Sequence, residues 1–136
     1  MSSLDERAER LLRGPNFAHV ATIAADGTPH VSPVWVDVED GRPVLNTALG
    51  RLKERHLRRD PRITIAVQDS ADPYVYVEIR GTAELSVVGA EEHIDALAKK
   101  YLGLDEYPDK SPDETRVKVY VTPRKVTGLL DADDQS

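Results

Sequence analysis

The sequence predicts a mainly β chain of the α+β class, with its strands forming an antiparallel barrel. Three observations carry this prediction. Two Asp-Gly pairs, Asp26-Gly27 and Asp40-Gly41, lie between β-prone runs, where Asp-Gly favours a tight hairpin turn. From Tyr74 to Val88 the chain alternates cleanly: Val75, Val77, Ile79, Ala83 and Leu85 point one way, and Tyr74, Tyr76, Glu78, Arg80, Thr82 and Glu84 the other. Helical patterns are few, and the regular strand–helix–strand alternation of a parallel sheet is missing.

In chain order, Ser3-Leu4-Asp5-Glu6 reads as a capping box opening a helix over residues 3–13, with Leu4, Ala8, Leu11 and Leu12 as its apolar face and Gly14-Pro15-Asn16 as its stop. Phe17 to Ala25 is a strand, and after Asp26-Gly27 a return strand is expected from Thr28 to about Val38. Along it Val34, Val36 and Val38 face one side, and Val31, Trp35 and Asp37 the other. Pro33 interrupts its donors and places this strand at a sheet edge or a bulge. Pro43 to Thr47 and Ile63 to Gln68 are further strands. Gly81 in the long alternating run marks a bend or a close backbone approach. Ala90 to Leu102 is an amphipathic helix with Ile94, Leu97, Ala98 and Tyr101 on one face, and its acidic start is Glu91, Glu92 and Asp95. A polar loop follows from Gly103 to Glu114, expected to be mobile. Arg116 to Val121 is a strand that Pro123 should break, with a short last strand from Lys125 to Leu130. Residues 131–136 read as a disordered tail.

The segment Gly50–Arg62 stands out. It holds six basic and two acidic residues in a chain of net charge −6, so positive charge is concentrated at one place in an acidic protein. That pattern suits a small anionic ligand better than a polymer. On a helical wheel Arg51, Arg55 and Arg58 form a basic stripe, and Leu49, Leu52 and Leu57 form the opposite arc, expected to face the core. Lys53 falls inside that apolar arc, where an ammonium must reach out to water or meet an anion. Spacing alone leaves both readings open: a solvated arginine-rich helix, or an anion site. Asp60-Pro61 ends the helix.

Length and composition narrow the rest. The 136 residues suit one domain spanning 1–136. With no cysteine, thiol catalysis, disulfides and cysteine metal sites are excluded, and a reducing, cytoplasmic location is expected. No apolar run is long enough to span a bilayer and no signal peptide is evident, so no membrane partner is expected. Net negative charge argues against nucleic acid as the main partner. Arginine outnumbers lysine twelve to six, which hints at a GC-rich bacterial source. His19 and His30 could face each other across the first hairpin, yet two histidines seldom make a metal site, and none is expected. No phosphate loop, dinucleotide fingerprint or nucleophile elbow occurs, and no residue set announces acid–base or nucleophilic catalysis. An enzyme of this sequence needs a cofactor for its chemistry.

The order of parts resembles a known family. The hairpin Val20-Ala21-Thr22-Ile23-Ala24-Ala25-Asp26-Gly27-Thr28-Pro29-His30-Val31-Ser32-Pro33-Val34 leads to Leu45-Asn46-Thr47 and the helix start Arg51-Leu52-Lys53-Glu54-Arg55-His56-Leu57, and the strand Tyr74 to Ala83 completes the pattern. This resembles the split β-barrel flavin and deazaflavin oxidoreductases of the pyridoxamine 5′-phosphate oxidase-like superfamily, most of all the actinobacterial branch that uses coenzyme F420. The resemblance implies an FMN-binding split-barrel fold, a homodimer and a small-molecule substrate. By position it implies that Arg51 and Lys53 hold the cofactor's phosphate, with His56, where relatives usually carry asparagine, at the same end. It further implies that Ser32, Pro33, Val34 and Trp35 pass under the tricyclic ring, that Asn46 and Thr47 line the phosphate and ribityl side, and that Tyr74 approaches the cofactor of the second subunit. No protein residue is implied as catalytic. The expected function is an F420-dependent reductase passing a hydride from the reduced deazaflavin to a small organic substrate. The alternatives are an FMN-binding pyridoxamine 5′-phosphate oxidase-like protein and a non-catalytic F420-binding protein.

Overall fold

A computed structural model describes residues 4–129; the tail expected at 131–136 lies outside them. The elements are α1 (Glu6–Arg13), β1 (Ala18–Ile23), β2 (Pro29–Val34), β3 (Asp37–Glu39), β4 (Arg42–Ala48), α2 (Leu52–Arg59), β5 (Arg62–Gln68), β6 (Tyr76–Ser86), α3 (Ala90–Leu102) and β7 (Arg116–Leu129). All seven strands belong to one sheet, in the order β2-β1-β5-β6-β7-β4-β3, and every pairing is antiparallel. The sheet curls around a core of Val20, Ile65, Val77, Ile79, Val119 and Val121, which α1 covers with Ala8, Leu11 and Leu12. Hydrogen bonding does not close it: β2 and β3 are its two ends, which makes the fold a split barrel.

The turns behave as their sequences require. Gly27 takes φ +88°, and Asp40 and Gly41 both lie in the left-handed region, as a tight Asp-Gly hairpin needs. The edge position expected for Pro33 is found, since β2 pairs only with β1.

Several expectations are corrected. The N-cap of α1 is Asp5, whose carboxylate accepts the Ala8 N–H at 2.9 Å. The return strand does not run through to Val38. It breaks at Trp35-Val36, and the two halves go to opposite ends of the sheet. The break is held from α3: the Tyr101 hydroxyl accepts the Val36 N–H at 3.1 Å, and Lys100 donates to the Val36 carbonyl at 2.6 Å. Pro123 does not end a strand. It lies opposite Gly81 at a register shift inside the long β6–β7 pairing. There a Cβ on Gly81 would come within 2.3 Å of the Thr122 carbonyl oxygen, so the glycine is required by close approach. His19 and His30 do not face each other; His19 pairs with Pro33 and His30 with Thr22. Among the described residues no group of three or more metal-ligating side chains occurs.

The helix α2 also turns differently from the wheel. Leu49 and Leu52 are 53% and 41% exposed, and of the three leucines only Leu57 enters the core. Glu54 and His56 are the other buried residues of the helix. Each is satisfied: Glu54 accepts from the Gly50 N–H at 2.8 Å and from Arg58 at 2.7 Å, and His56 Nδ1 meets the Thr22 hydroxyl at 2.8 Å. Burial resists ionisation of Glu54, but the Gly50 N–H and Arg58 outweigh it and hold the carboxyl below its usual range.

Candidate functional site

The split between β2 and the start of α2 forms the site. On β2, His30, Ser32 and Val34 share the inner face, because alternate strand residues point the same way. Across from them β4 ends in Asn46, Thr47 and Ala48, and Gly50, at φ +84°, turns the chain into α2. The open groove between them is about 610 Å³ and is lined by His30, Pro33, Val34, Asn46, Thr47 and the helix start from Gly50 to Lys53 with Arg55.

Its charge is unbalanced. Lys53 is half-buried and donates to Ser32 Oγ at 3.0 Å, and no described carboxylate pairs with it. Burial, with Arg51 beside it, lowers its pKa. Arg55 also lacks an ion-pair partner among the described residues. Arg51 pairs with Glu114, whose second oxygen accepts from Arg116 Nη1 at 3.2 Å. The unsatisfied N–H groups at the start of α2 add positive potential at the same place. His30 Nδ1 is buried here without a partner, and its ring meets that of His56 edge-on at 5.8 Å.

A second cleft of about 410 Å³ shares Pro33, Val34 and Asn46 with the first and extends it toward Phe17, Trp35, Tyr107 and Arg116. Its wall is aromatic. Trp35 stacks on Tyr101 with centroids 5.4 Å apart and 5° between planes, and it meets Tyr107 edge-on at 6.0 Å. Tyr107 is carried by the loop after α3, which Asp95 pins by accepting the Tyr107 N–H and the Lys110 ammonium, each at 2.9 Å. Asp95 therefore anchors a loop rather than opening its helix. At the floor, Asn46 is fixed on all sides. Its Nδ2 donates to the Ala90 carbonyl and to His93 Nδ1, and its Oδ1 accepts from Arg116 Nε.

Of the residues proposed from sequence, Ser32, Pro33, Val34, Asn46, Thr47, Arg51 and Lys53 meet around the basic groove, and Trp35 stands in the adjoining cleft. His56 is beneath the groove, turned toward Thr22, and burial followed by Arg59 lowers its pKa. Tyr74 lies on the loop before β6, is 71% exposed and lines neither cleft. Arg116, Tyr107 and Glu114 were not singled out in the sequence, and His30 was weighed only as a facing partner of His19. His30 carried a signal, since it shares the β2 face with Ser32. The others come from a loop and strand far along the chain, and no local pattern links them to α2.

Fold and groove together define a small split-barrel protein with a basic cleft between β2 and the start of α2. The chain belongs to the pyridoxamine 5′-phosphate oxidase family, an oxidoreductase family whose model matches residues 4–129. Among solved structures it is similar to an F420 reductase, with 28% identity, coverage of 91% of this chain and 98% of that one, and a TM-score of 0.78. It is also similar to a conserved hypothetical protein from Mycobacterium tuberculosis, at 26% identity, 91% and 84% coverage and a TM-score of 0.67. A pyridoxamine 5′-phosphate oxidase-like protein from Listeria innocua, at 19% identity and a TM-score of 0.63 over 85% of this chain and 89% of that one, shares the fold.

Proposed function

We propose that this protein is an F420-dependent reductase acting on a small organic substrate. The observation that carries the reading is Lys53: a half-buried ammonium without a carboxylate partner, beside Arg51 and Arg55 at a helix start. A cation in that setting is unfavourable until an anion joins it, and a phosphate fits the donor set. Similarity to an F420 reductase over nearly the whole chain supports the deazaflavin in particular.

In this reading Arg51 and Lys53 hold the phosphate, Asn46 and Thr47 line the chain leading from it, and Ser32 to Trp35 underlie the ring. As the sheet's edge, β2 pairs on one side only, and on its other side a backbone N–H suits a carbonyl of a pyrimidine ring and a backbone C=O suits its ring N–H. Bound in reduced form, F420 supplies a hydride at C5. The protein's part is proximity and orientation: the groove fixes one end, and the aromatic cleft beyond Pro33 and Val34 receives a substrate. Tyr74 reaches a cofactor only from a second copy, so the complete site is that of a homodimer.

FMN is the second reading, favoured by membership of the pyridoxamine 5′-phosphate oxidase family. Titrating the purified protein with F420 and FMN in parallel separates the two. We expect tighter binding of F420 with one perturbed deazaflavin band, followed by oxidation of bound reduced F420 on addition of an acceptor. Tight FMN binding with no response to F420 would replace the first reading by the second.

A further inference from the structure

We propose that Glu114 tunes cofactor choice by the charge of the phosphate, weakening the groove's hold on a doubly charged phosphomonoester more than on a singly charged phosphodiester. The inference rests on the basic groove being the cofactor's phosphate site.

The Glu114 carboxylate reaches the groove through Arg51, which lines it. One oxygen accepts from Arg51 Nη2 and the other from Arg116 Nη1 at 3.2 Å. Arg116 is buried and is held from its other side by Asn46 Oδ1 at 2.9 Å, so it fixes Glu114 in turn. The neighbouring Thr115 carbonyl accepts the Leu49 N–H at 2.9 Å, tying this stretch to the residues that lead into α2. Glu114 is therefore held where it stands.

Three cations face the groove: Arg51, Lys53 and Arg55. Of the other carboxylates nearby, Glu54 is buried and spent on Gly50 and Arg58, and Asp109 lines the adjoining cleft rather than the groove. Glu114 is thus the negative charge that an incoming phosphate meets at Arg51. Repulsion between them scales with the product of charges, so a dianion feels it about twice as strongly as a monoanion. A phosphomonoester such as that of FMN carries about −1.5 to −2 at neutral pH, and a phosphodiester such as that of F420 carries one charge. A like charge placed against the unwanted ligand is a recognised route to specificity. The opposite role, Glu114 holding Arg51 ready for phosphate, would make its removal harmful to both ligands.

The test uses FMN and its methyl phosphodiester, which share ring and ribityl chain and differ by one charge. Both are titrated by flavin fluorescence at low ionic strength against the wild type, Glu114→Gln and Glu114→Asp, with melting curves to confirm folding. Glu114→Gln should tighten the ester about threefold and FMN about tenfold, one modest charge interaction counted once and twice. Glu114→Asp keeps the charge and should keep the wild-type ratio of the two affinities. Equal changes for both ligands in Glu114→Gln, or weaker binding of both, would overturn the proposal. Failure of FMN, its ester and F420 to bind any variant, the wild type included, would instead remove the cofactor reading beneath it.

Discussion

His93 shows how tightly single residues are fixed beside the groove. Asn46 must donate to the Ala90 carbonyl and accept from Arg116, so its remaining N–H reaches His93 Nδ1 and leaves the proton of the neutral ring on Nε2. That Nε2 is buried without a partner. Burial, reinforced by nearby Lys118, pushes the His93 pKa down to about 4. The sign for stability follows. As pH falls below about 6.5 the unfolded chain takes up a proton that the folded ring refuses, so stability present at neutral pH is lost down to about 4. We expect a loss of up to about 3 kcal/mol from this residue. Denaturant unfolding at pH 7.5 and 4.5 should show a shallower pH dependence for His93→Asn, in which an amide oxygen replaces Nδ1; an unchanged slope would mean that another group titrates. At this scale the sequence was partly readable. The half-burial of Lys53 was expected from helical spacing, although Leu49 and Leu52, two of the three leucines of the arc that flagged it, are exposed. The burial of Glu54 and His56 was not, because their partners, the Gly50 N–H and the Thr22 hydroxyl, become known only when the turn and β1 are in place.

Elements were most legible where local chemistry decides them. Both Asp-Gly hairpins, the β6 alternation and α3 from Ala90 to Leu102 stand as the sequence implied. The alternation of Val34, Val36 and Val38 runs unbroken across Trp35, however, and it concealed the break that sends β2 and β3 to opposite ends of the sheet. The cause is tertiary: α3 supplies Tyr101 and Lys100 to the backbone of Val36. Pro123 misled for a similar reason, since its missing N–H is absorbed at the irregularity opposite Gly81. Gly81→Ala should therefore be costly. Its methyl would strike the Thr122 carbonyl, and overpacking of this kind destabilises by about 1–3 kcal/mol. A lower denaturant midpoint at constant slope would verify it, whereas an unaltered midpoint would mean the strands are farther apart than described.

At the scale of the molecule, the split barrel leaves the large apolar side chains of Phe17, Val31, Leu49, Leu52 and Tyr74 exposed. We expect a two-fold dimer, seen as about twice the chain mass by light scattering; a monomer at micromolar concentration would leave Tyr74 no route to a cofactor. The fold class was legible because hairpins and periodicity are local. The aromatic cleft was not, because it depends on surfaces brought together last. The central claim is that positive charge gathered in an otherwise acidic protein forms one specific phosphate site, and F420 affinity across a variant series tests it most directly. Lys53→Ala and Arg51→Ala should each weaken binding about ten- to a hundredfold, since a charge-assisted phosphate contact contributes about 1.5–3 kcal/mol. Arg59, which donates to the Ile23 carbonyl at the far end of α2, is the control, and Arg59→Ala should change affinity by less than about threefold through screened solvent. Equal losses in all three variants would contradict a specific site and leave only diffuse attraction.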